Sequence, residues 1–178
     1  MSSSADRLAA LRDQLERDRL DGFVVPLTDE HMGEYVGSYA QRLAWLTAFQ
    51  GSAGTAVVLP QEAAIFTDGR YTIQVRQQVS PTEWSYQSVP ERGVSKWLKE
   101  NAPNGARIGY DPCLHTAEWV KQATAQLAAK GAELVAVSSN PIDVVWADRP
   151  DPSKARLTVQ PDEYGGMGSA EMRHEMAD

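Results

Sequence analysis

The chain has 178 residues, of which 42% are hydrophobic and 23% charged, a balance that fits one ordinary globular domain with an additional segment rather than a disordered polypeptide. Its formal net charge of −7 argues against nucleic-acid binding, which needs a clustered basic face, and no apolar run is long enough to span a membrane. A single cysteine, Cys113, excludes an intrachain disulfide, and the polar N-terminus lacks the pattern of a signal peptide, so we expect a cytoplasmic protein.

The first quarter of the chain predicts a helix, a strand and a long loop. Helical spacing of leucines indicates a first helix that is capped by Ser4 and ends at Asp21-Gly22. Residues 23–25 are apolar and form a short buried strand. Residues 26–38 have no regular period and many polar groups, which is typical of a loop. Residues 39–49 are predicted to form a short helix.

A glycine bend and a β-hairpin follow. Gly51 and Gly54 bracket the bend, residues 55–59 and 63–67 are apolar runs of β type, and residues 60–62 join them. After the second strand, helical spacing of apolar residues predicts a helix through residue 79.

Arg70 lies where this second strand gives way to the helix. A helix start favours anions, so a cation there has some other role. One interpretation is a surface ion pair with Asp68, a common role for an exposed arginine. The other is that the long cation leaves the domain surface to contact something beyond it. Position alone leaves both interpretations open.

The second half of the chain alternates strands and helices, which favours an α/β layer structure. The predicted strands are 84–89, 107–110 and 133–138, and the predicted helices are 94–101, 142–146 and a long helix capped by Thr116 that ends at Lys130-Gly131.

Composition divides the chain into three parts. Residues 1–152 form the domain, residues 153–168 are polar and glycine-rich and are predicted to be an interdomain linker, and residues 169–178 begin a helix of a second domain with Ser169 as its cap. Because such a short helix is marginal by itself, we expect it to fray or to pack against a neighbouring molecule through its methionines.

No residue set of this chain favours catalysis or metal binding over a structural role. The three histidines are not at metal-ligand spacing, and a Cys113–His115 dyad is disfavoured because residues two apart rarely face each other. The 51–54 bend lacks the lysine of a phosphate-binding loop. Carboxylates of the long loop are candidates for acid–base chemistry, although on an irregular loop they more often are solvated or capping groups: Asp29, Glu30 and Glu34.

Three strings of the sequence, in this order, resemble the N-terminal domain of cytosolic three-domain Xaa-Pro aminopeptidases (aminopeptidase P) of the M24 metallopeptidase family. They are FQGSAGTA at residues 49–56, TDGRY at residues 67–71, and NPID with WADRP within residues 140–150. The segment that contains Asp29-Glu30-His31 and Glu34-Tyr35 is similar to a further family segment. The resemblance covers about residues 5–150.

The resemblance implies a creatinase-like N-terminal α/β domain, with a mixed β-sheet flanked by helices. In the family it precedes a second domain of similar shape and a catalytic domain that holds two divalent metal ions, usually manganese, and cleaves peptides with proline in second position. None of those metal ligands lies in this chain, so we expect no cofactor here and no activity of the chain alone. The implied partners are the peptide, the second and catalytic domains of the same chain, and a second copy in a homodimer.

The resemblance also implies a role for Arg70. The arginine of the TDGRY string reaches the substrate cleft in related enzymes, and a guanidinium can donate paired hydrogen bonds to a peptide carbonyl or carboxylate. We therefore predict Arg70 as the substrate-binding residue of this chain, with no catalytic residue. The alternative function is a non-catalytic interaction module of a pseudo-peptidase with the same fold, as in histone-chaperone relatives.

Overall fold

A computed structural model describes residues 2–89 and 91–177, and its centre is a six-stranded mixed sheet. The strands are β1 (Gly22–Pro26), β2 (Thr55–Val58), β3 (Ala63–Thr67), β4 (Ser85–Ser88), β5 (Arg107–Tyr110) and β6 (Glu133–Ala136). Their order across the sheet is β4-β3-β2-β1-β5-β6. The β1–β2 and β2–β3 pairs are antiparallel and the other pairs are parallel, so the predicted hairpin at residues 55–67 is confirmed.

The helices within the described residues are α1 (Ser4–Arg17), α2 (Arg42–Thr47), α3 (Thr72–Gln78), α4 (Val94–Asn101), α5 (Ala117–Ala128), α6 (Pro141–Val145), α7 (Asp162–Gly165) and α8 (Ser169–Glu175). Helices α1, α2, α3 and α6 cover one face of the sheet, and α4 and α5 cover the other. The predicted α/β class, a mixed sheet flanked by helices, is therefore confirmed.

Alternate side chains of the central strands pack into two separate hydrophobic cores, one on each face of the sheet. Phe23 and Val25 of β1 face the layer of α1, α2 and α6, whereas Val24 between them faces α4 and α5. The same alternation recurs along β2 and β3, because side chains of a strand point to opposite faces in turn. Burial on both faces explains why these strands are almost continuously apolar.

The start of α1 differs from the prediction by one residue. Ser3, not Ser4, is the N-cap: the Ser3 hydroxyl accepts from the Asp6 amide at 3.1 Å, and the Asp6 carboxylate accepts from the Ser3 amide at 2.9 Å. The Ser4 hydroxyl instead donates to the Leu46 carbonyl at 2.9 Å and ties α1 to α2.

The 140–150 string forms structural bonds. The Asn140 side chain caps α6 and donates to the Asp111 carboxylate at 2.9 Å. Asp143 accepts hydrogen bonds from Arg42 Nε and Nη2 at 2.7 and 2.8 Å, and its carboxylate forms an ion pair with Arg149 Nη1 at 2.8 Å. The Arg42 side chain is only 7% exposed, so this network joins α2, α6 and the chain beyond α6 in a largely buried position.

The chain beyond residue 150 is mostly exposed, with Leu157 101% and Val159 90% accessible. The predicted linker at residues 153–168 contains the short helix α7. Gly168 rather than Ser169 is the N-cap of α8, which corrects the predicted cap by one residue. Within residues 2–89 and 91–177, no helix combines the length and the apolar character needed to cross a membrane.

Candidate functional site

Three segments meet at one end of the sheet. In the antiparallel β1–β2–β3 unit, Pro26 at the end of β1 pairs with Thr55 at the start of β2, and Thr55 pairs with Phe66 near the end of β3. The long loop after β1, the glycine bend before β2 and the turn after β3 therefore lie side by side. A backbone hydrogen bond from Leu27 to the Gly54 carbonyl, at 3.1 Å, ties the loop to the bend.

Arg70 projects from the turn after β3. This is a 3-10 turn, Gly69–Tyr71, that leads directly into α3. The Arg70 side chain is 63% exposed, and its guanidinium donates to the Asp68 carboxylate, from Nη2 at 2.7 Å and from Nε at 3.1 Å. The hydrogen bonds from Arg70 hold the pKa of Asp68 below its ordinary value. The surface pair with Asp68 is thus present, and the guanidinium faces outward rather than into the core.

Tyr71 supports the guanidinium from the other side. The Arg70 Cζ atom lies 5.3 Å from the centre of the Tyr71 ring, a cation–π distance. The Tyr71 hydroxyl lies 2.7 Å from the Ser52 hydroxyl, and its ring makes an edge contact with Phe49 at 5.6 Å. The hydrogen bond with Ser52 is the main cause that lowers the pKa of Tyr71, and the charge of Arg70 acts in the same direction.

Gly51 makes this contact between the bend and the turn possible. A Cβ atom at Gly51 would lie 2.3 Å from Phe49 Cζ and 2.8 Å from Tyr71 Cδ1, distances that side chains do not tolerate. The absence of a side chain at residue 51 therefore lets Tyr71 pack against the bend. The predicted bend therefore has a structural role, which is to accept the Tyr71 ring.

A cleft of about 540 Å³ opens beside the bend, between it and the long loop. Its walls include Glu34, Tyr35, Gly51 and Ser52, and Tyr35 is 90% accessible. Arg70 is linked to this cleft through its neighbour Tyr71, whose hydroxyl lies 2.7 Å from that of Ser52 in the cleft wall. Hydrogen bonds and charge from Asp68 raise the pKa of Arg70, and the charge of Glu34 adds to this effect, so Glu34 is within electrostatic reach of the guanidinium.

The other loop carboxylates serve the loop itself. Asp29 is buried, and its Oδ1 accepts from the amides of His31 and Gly33, both at 3.0 Å. The Gly33 hydrogen bond is the leading cause of a lowered pKa at Asp29. Glu30 accepts from the Tyr39 hydroxyl at 2.7 Å. Asp29 is therefore a capping group, as the commoner role of such carboxylates predicts.

Cys113 and His115 make no hydrogen bond to each other. Cys113 is exposed, whereas His115 Nδ1 lies 3.0 Å from the Asp111 carbonyl and its ring packs on Trp119 at 4.1 Å. Across the described parts of the chain, no three His, Cys, Asp or Glu side chains come together as a ligand set for a metal ion.

Sequence reasoning named Asp68 as a possible ion-pair partner of Arg70, and the structure confirms that pair. It missed the contact of Tyr71 with the guanidinium and the bond of Tyr71 with Ser52, which lies 19 residues away in the sequence. A signal for that contact was available, because Ser52 belongs to the first string of the resemblance and Tyr71 to the second.

Known proteins share both the sequence and the fold of this chain. The family model of the creatinase/prolidase N-terminal domain matches residues 7–147. Xaa-Pro aminopeptidase 2 of Rattus norvegicus is 35% identical over 161 residues, which are 90% of this chain and 24% of that protein. A probable Xaa-Pro aminopeptidase P of Aspergillus flavus is 34% identical over 98% of this chain and 27% of that protein. The chain thus spans about a quarter of the length of these relatives.

Solved structures share the fold of this chain. An X-prolyl aminopeptidase of Caenorhabditis elegans, described as a cytosolic enzyme with a di-nuclear active site, superimposes with a TM-score of 0.86 at 28% identity, over 98% of this chain and 31% of that chain. The N-terminal domain of a cytoplasmic peptidase of Mycobacterium tuberculosis gives a TM-score of 0.60 at 24% identity, over 79% of this chain and 98% of that chain, and shares the fold.

Proposed function

Because this chain belongs to the creatinase/prolidase N-terminal domain family, we propose that it is the non-catalytic N-terminal domain of a metal-dependent Xaa-Pro aminopeptidase. The whole protein would remove the first residue from peptides with proline in second position. This proposal is supported by relatives that are Xaa-Pro aminopeptidases and match 90% or more of the chain. We place the protein in the cytoplasm, as is described for the similar nematode enzyme.

Bond cleavage is assigned to residues outside this chain. A di-nuclear metal centre, with manganese as the proposed metal, would supply the attacking hydroxide from a catalytic domain. The 178 residues would be inactive alone and would act by shaping the substrate cleft and by assembling with the second and catalytic domains, in a homodimer of the whole enzyme. The part of this domain that we assign to the peptide is Arg70.

The outward position of Arg70 is the observation that carries this role. Its side chain is 63% exposed at the end of the sheet where the loop, the bend and the turn meet. A guanidinium there can donate two parallel hydrogen bonds to the two oxygens of a peptide carboxylate, or two converging hydrogen bonds to one carbonyl oxygen, which an ammonium group cannot reproduce.

The test is the kinetics of Arg70→Ala in the full-length protein, with a peptide that has proline in second position. Loss of hydrogen bonds between charged partners is expected to lower kcat/KM about 10- to 100-fold, without a change in thermal unfolding. Arg17→Ala is the matched control, because Arg17 is also exposed and lies near the start of β1, at the opposite end of the sheet.

Two results would contradict the proposal. Wild-type kcat/KM in Arg70→Ala would make Arg70 an ordinary surface residue. A full-length protein without hydrolytic activity, in which the metal-ligand aspartates, histidine and glutamates of the catalytic domain are replaced, would be a pseudo-peptidase in which this domain serves as an interaction module.

A further inference from the structure

The guanidinium of Arg70 has two edges that can each donate a pair of hydrogen bonds to a carboxylate or carbonyl: the side edge, Nε–Nη2, and the end edge, Nη1–Nη2. Asp68 occupies only the side edge. Along the side edge, Nε donates to the two Asp68 oxygens at 3.1 and 3.2 Å, and Nη2 donates to Oδ2 at 2.7 Å. Along the end edge, Nη1 donates no hydrogen bond to any residue within 2–89 or 91–177. The ion pair therefore leaves the outer fork of Arg70 available.

The Asp68 carboxylate is itself fixed to the backbone. Its Oδ1 accepts from the Arg70 amide at 2.9 Å, so Asp68 caps the 3-10 turn on which Arg70 lies. The Asp68 side chain is 31% exposed, half the value of the Arg70 side chain. The carboxylate is thus held in place by the backbone, and its hydrogen bonds orient the longer and more exposed Arg70 side chain.

Tyr71 restricts the guanidinium on a second side. The aromatic ring lies 5.3 Å from Arg70 Cζ and is held by the Ser52 hydroxyl and by Phe49. A long side chain that is held at one edge and along one face has few rotamers left. Pre-ordering of this kind lowers the entropy lost when a ligand binds.

We propose that Asp68 is a positioning residue for substrate binding: it holds the Arg70 guanidinium with its Nη1–Nη2 edge outward, ready to bind a carbonyl or carboxylate oxygen of the peptide end-on. This inference rests on the proposed function, because it needs Arg70 to contact the substrate. It also reconciles the two interpretations of Arg70, since the surface ion pair becomes part of the binding device.

The test compares four forms of the full-length protein with a Xaa-Pro peptide: wild type, Asp68→Asn, Arg70→Ala and the double variant. Asparagine is as good a cap as aspartate, so Asp68→Asn keeps the turn but loses the charged fork. We expect Asp68→Asn to raise KM about 3- to 10-fold with little change in kcat. In the Arg70→Ala background the same change should alter kcat/KM less than 2-fold, because the residue it positions is gone.

Asp68→Glu separates position from charge. It keeps the carboxylate but displaces it by one methylene group, so a positioning role predicts a raised KM, whereas a pure charge effect predicts wild-type KM and overturns the inference. Asp151→Asn, which removes an exposed ion pair with Lys154, is the control for net charge and is expected to be unchanged.

The outcomes distinguish this inference from the proposed function. If Arg70→Ala lowers kcat/KM and Asp68→Asn does not, the positioning role is wrong and the substrate role of Arg70 stands. If Asp68→Asn has the same effect with and without Arg70, Asp68 acts independently and the inference is overturned. If Arg70→Ala is unchanged, both fail.

Discussion

Asp143→Asn tests whether the 140–150 string holds the domain together. Asp143 is the carboxylate between two arginines: it accepts two hydrogen bonds from Arg42, at 2.7 and 2.8 Å, and forms an ion pair with Arg149 at 2.8 Å. Asparagine has the same shape but no charge, and its amide group cannot accept on both sides. The substitution leaves the buried Arg42 guanidinium, 7% exposed, without the counter-charge to which it is hydrogen-bonded.

The expected cost follows from that burial. Removal of one partner of a buried ion pair typically costs about 3–5 kcal/mol, because the remaining charge stays desolvated. Asp143 is 22% exposed and Arg149 is 27% exposed, so water offsets part of the loss and we expect a value near 3 kcal/mol. For a domain of this size, each kcal/mol lowers Tm by about 2–4 °C.

Urea denaturation of the 178-residue chain measures this cost. The midpoint should fall while the slope stays constant, since the native fold and the surface exposed on unfolding are unchanged. The control is Asp151→Asn, whose partner Lys154 is 84% exposed and which should cost less than about 1 kcal/mol. Equal effects of the two substitutions would refute the buried network as a source of stability.

Two further predictions concern the bend and a buried histidine. Gly51→Ala should lower the free energy of unfolding by about 1–3 kcal/mol, because the added Cβ would clash with Phe49 and Tyr71. The matched control is Gly69→Ala, since no atom lies within 4 Å of a Cβ built at Gly69. Equal unfolding midpoints of the two variants would contradict the packing argument. Burial lowers the pKa of His115 below its ordinary value, so the unfolded chain takes up a proton first as the pH falls. The free energy of unfolding should then be constant above about pH 6.5 and decrease below it by up to about 1.4 kcal/mol per pH unit, and His115→Phe should remove this slope between pH 5 and 6.5; an unchanged slope would show that another group titrates.

Local signals predicted the elements, and long-range contacts account for what they missed. The strands at 63–67 and 107–110 and the helix at 94–101 were predicted with the bounds that the structure gives. In each strand an apolar run meets Asp-Gly or Asp-Pro, which stops it locally. The cap of α1 was misplaced because Ser3 and Ser4 both suit that position. The reciprocal bond with Asp6 and the distant Leu46 carbonyl decide between them.

Local sequence patterns predicted the strand-to-helix junction of the candidate site, but not the long-range contacts around it. The junction that carries Arg70 follows from the strand and helix patterns around it. The contact of Tyr71 with Ser52 depends on how β2 and β3 pair, and the partners of Asp143 lie up to 101 residues away. No local pattern encodes such a pairing, although the three strings of the resemblance contain most of the residues involved.

The structure divides those strings between two tasks. The 140–150 string stabilises the packing of α2 and α6, since the side chains of Asp143 and Asn140 form hydrogen bonds with other residues of the domain. The 49–56 and 67–71 strings instead meet at one sheet end, where Gly51 admits Tyr71 and Ser52 fixes it. Because β2 runs antiparallel to β1 and β3 in an otherwise parallel sheet, the bend before β2 and the turn after β3 share that end. A parallel β2 would put its start at the opposite end, and Arg70 would lose the Ser52–Tyr71 support. The reversed strand is therefore the feature of the fold that builds the proposed binding device.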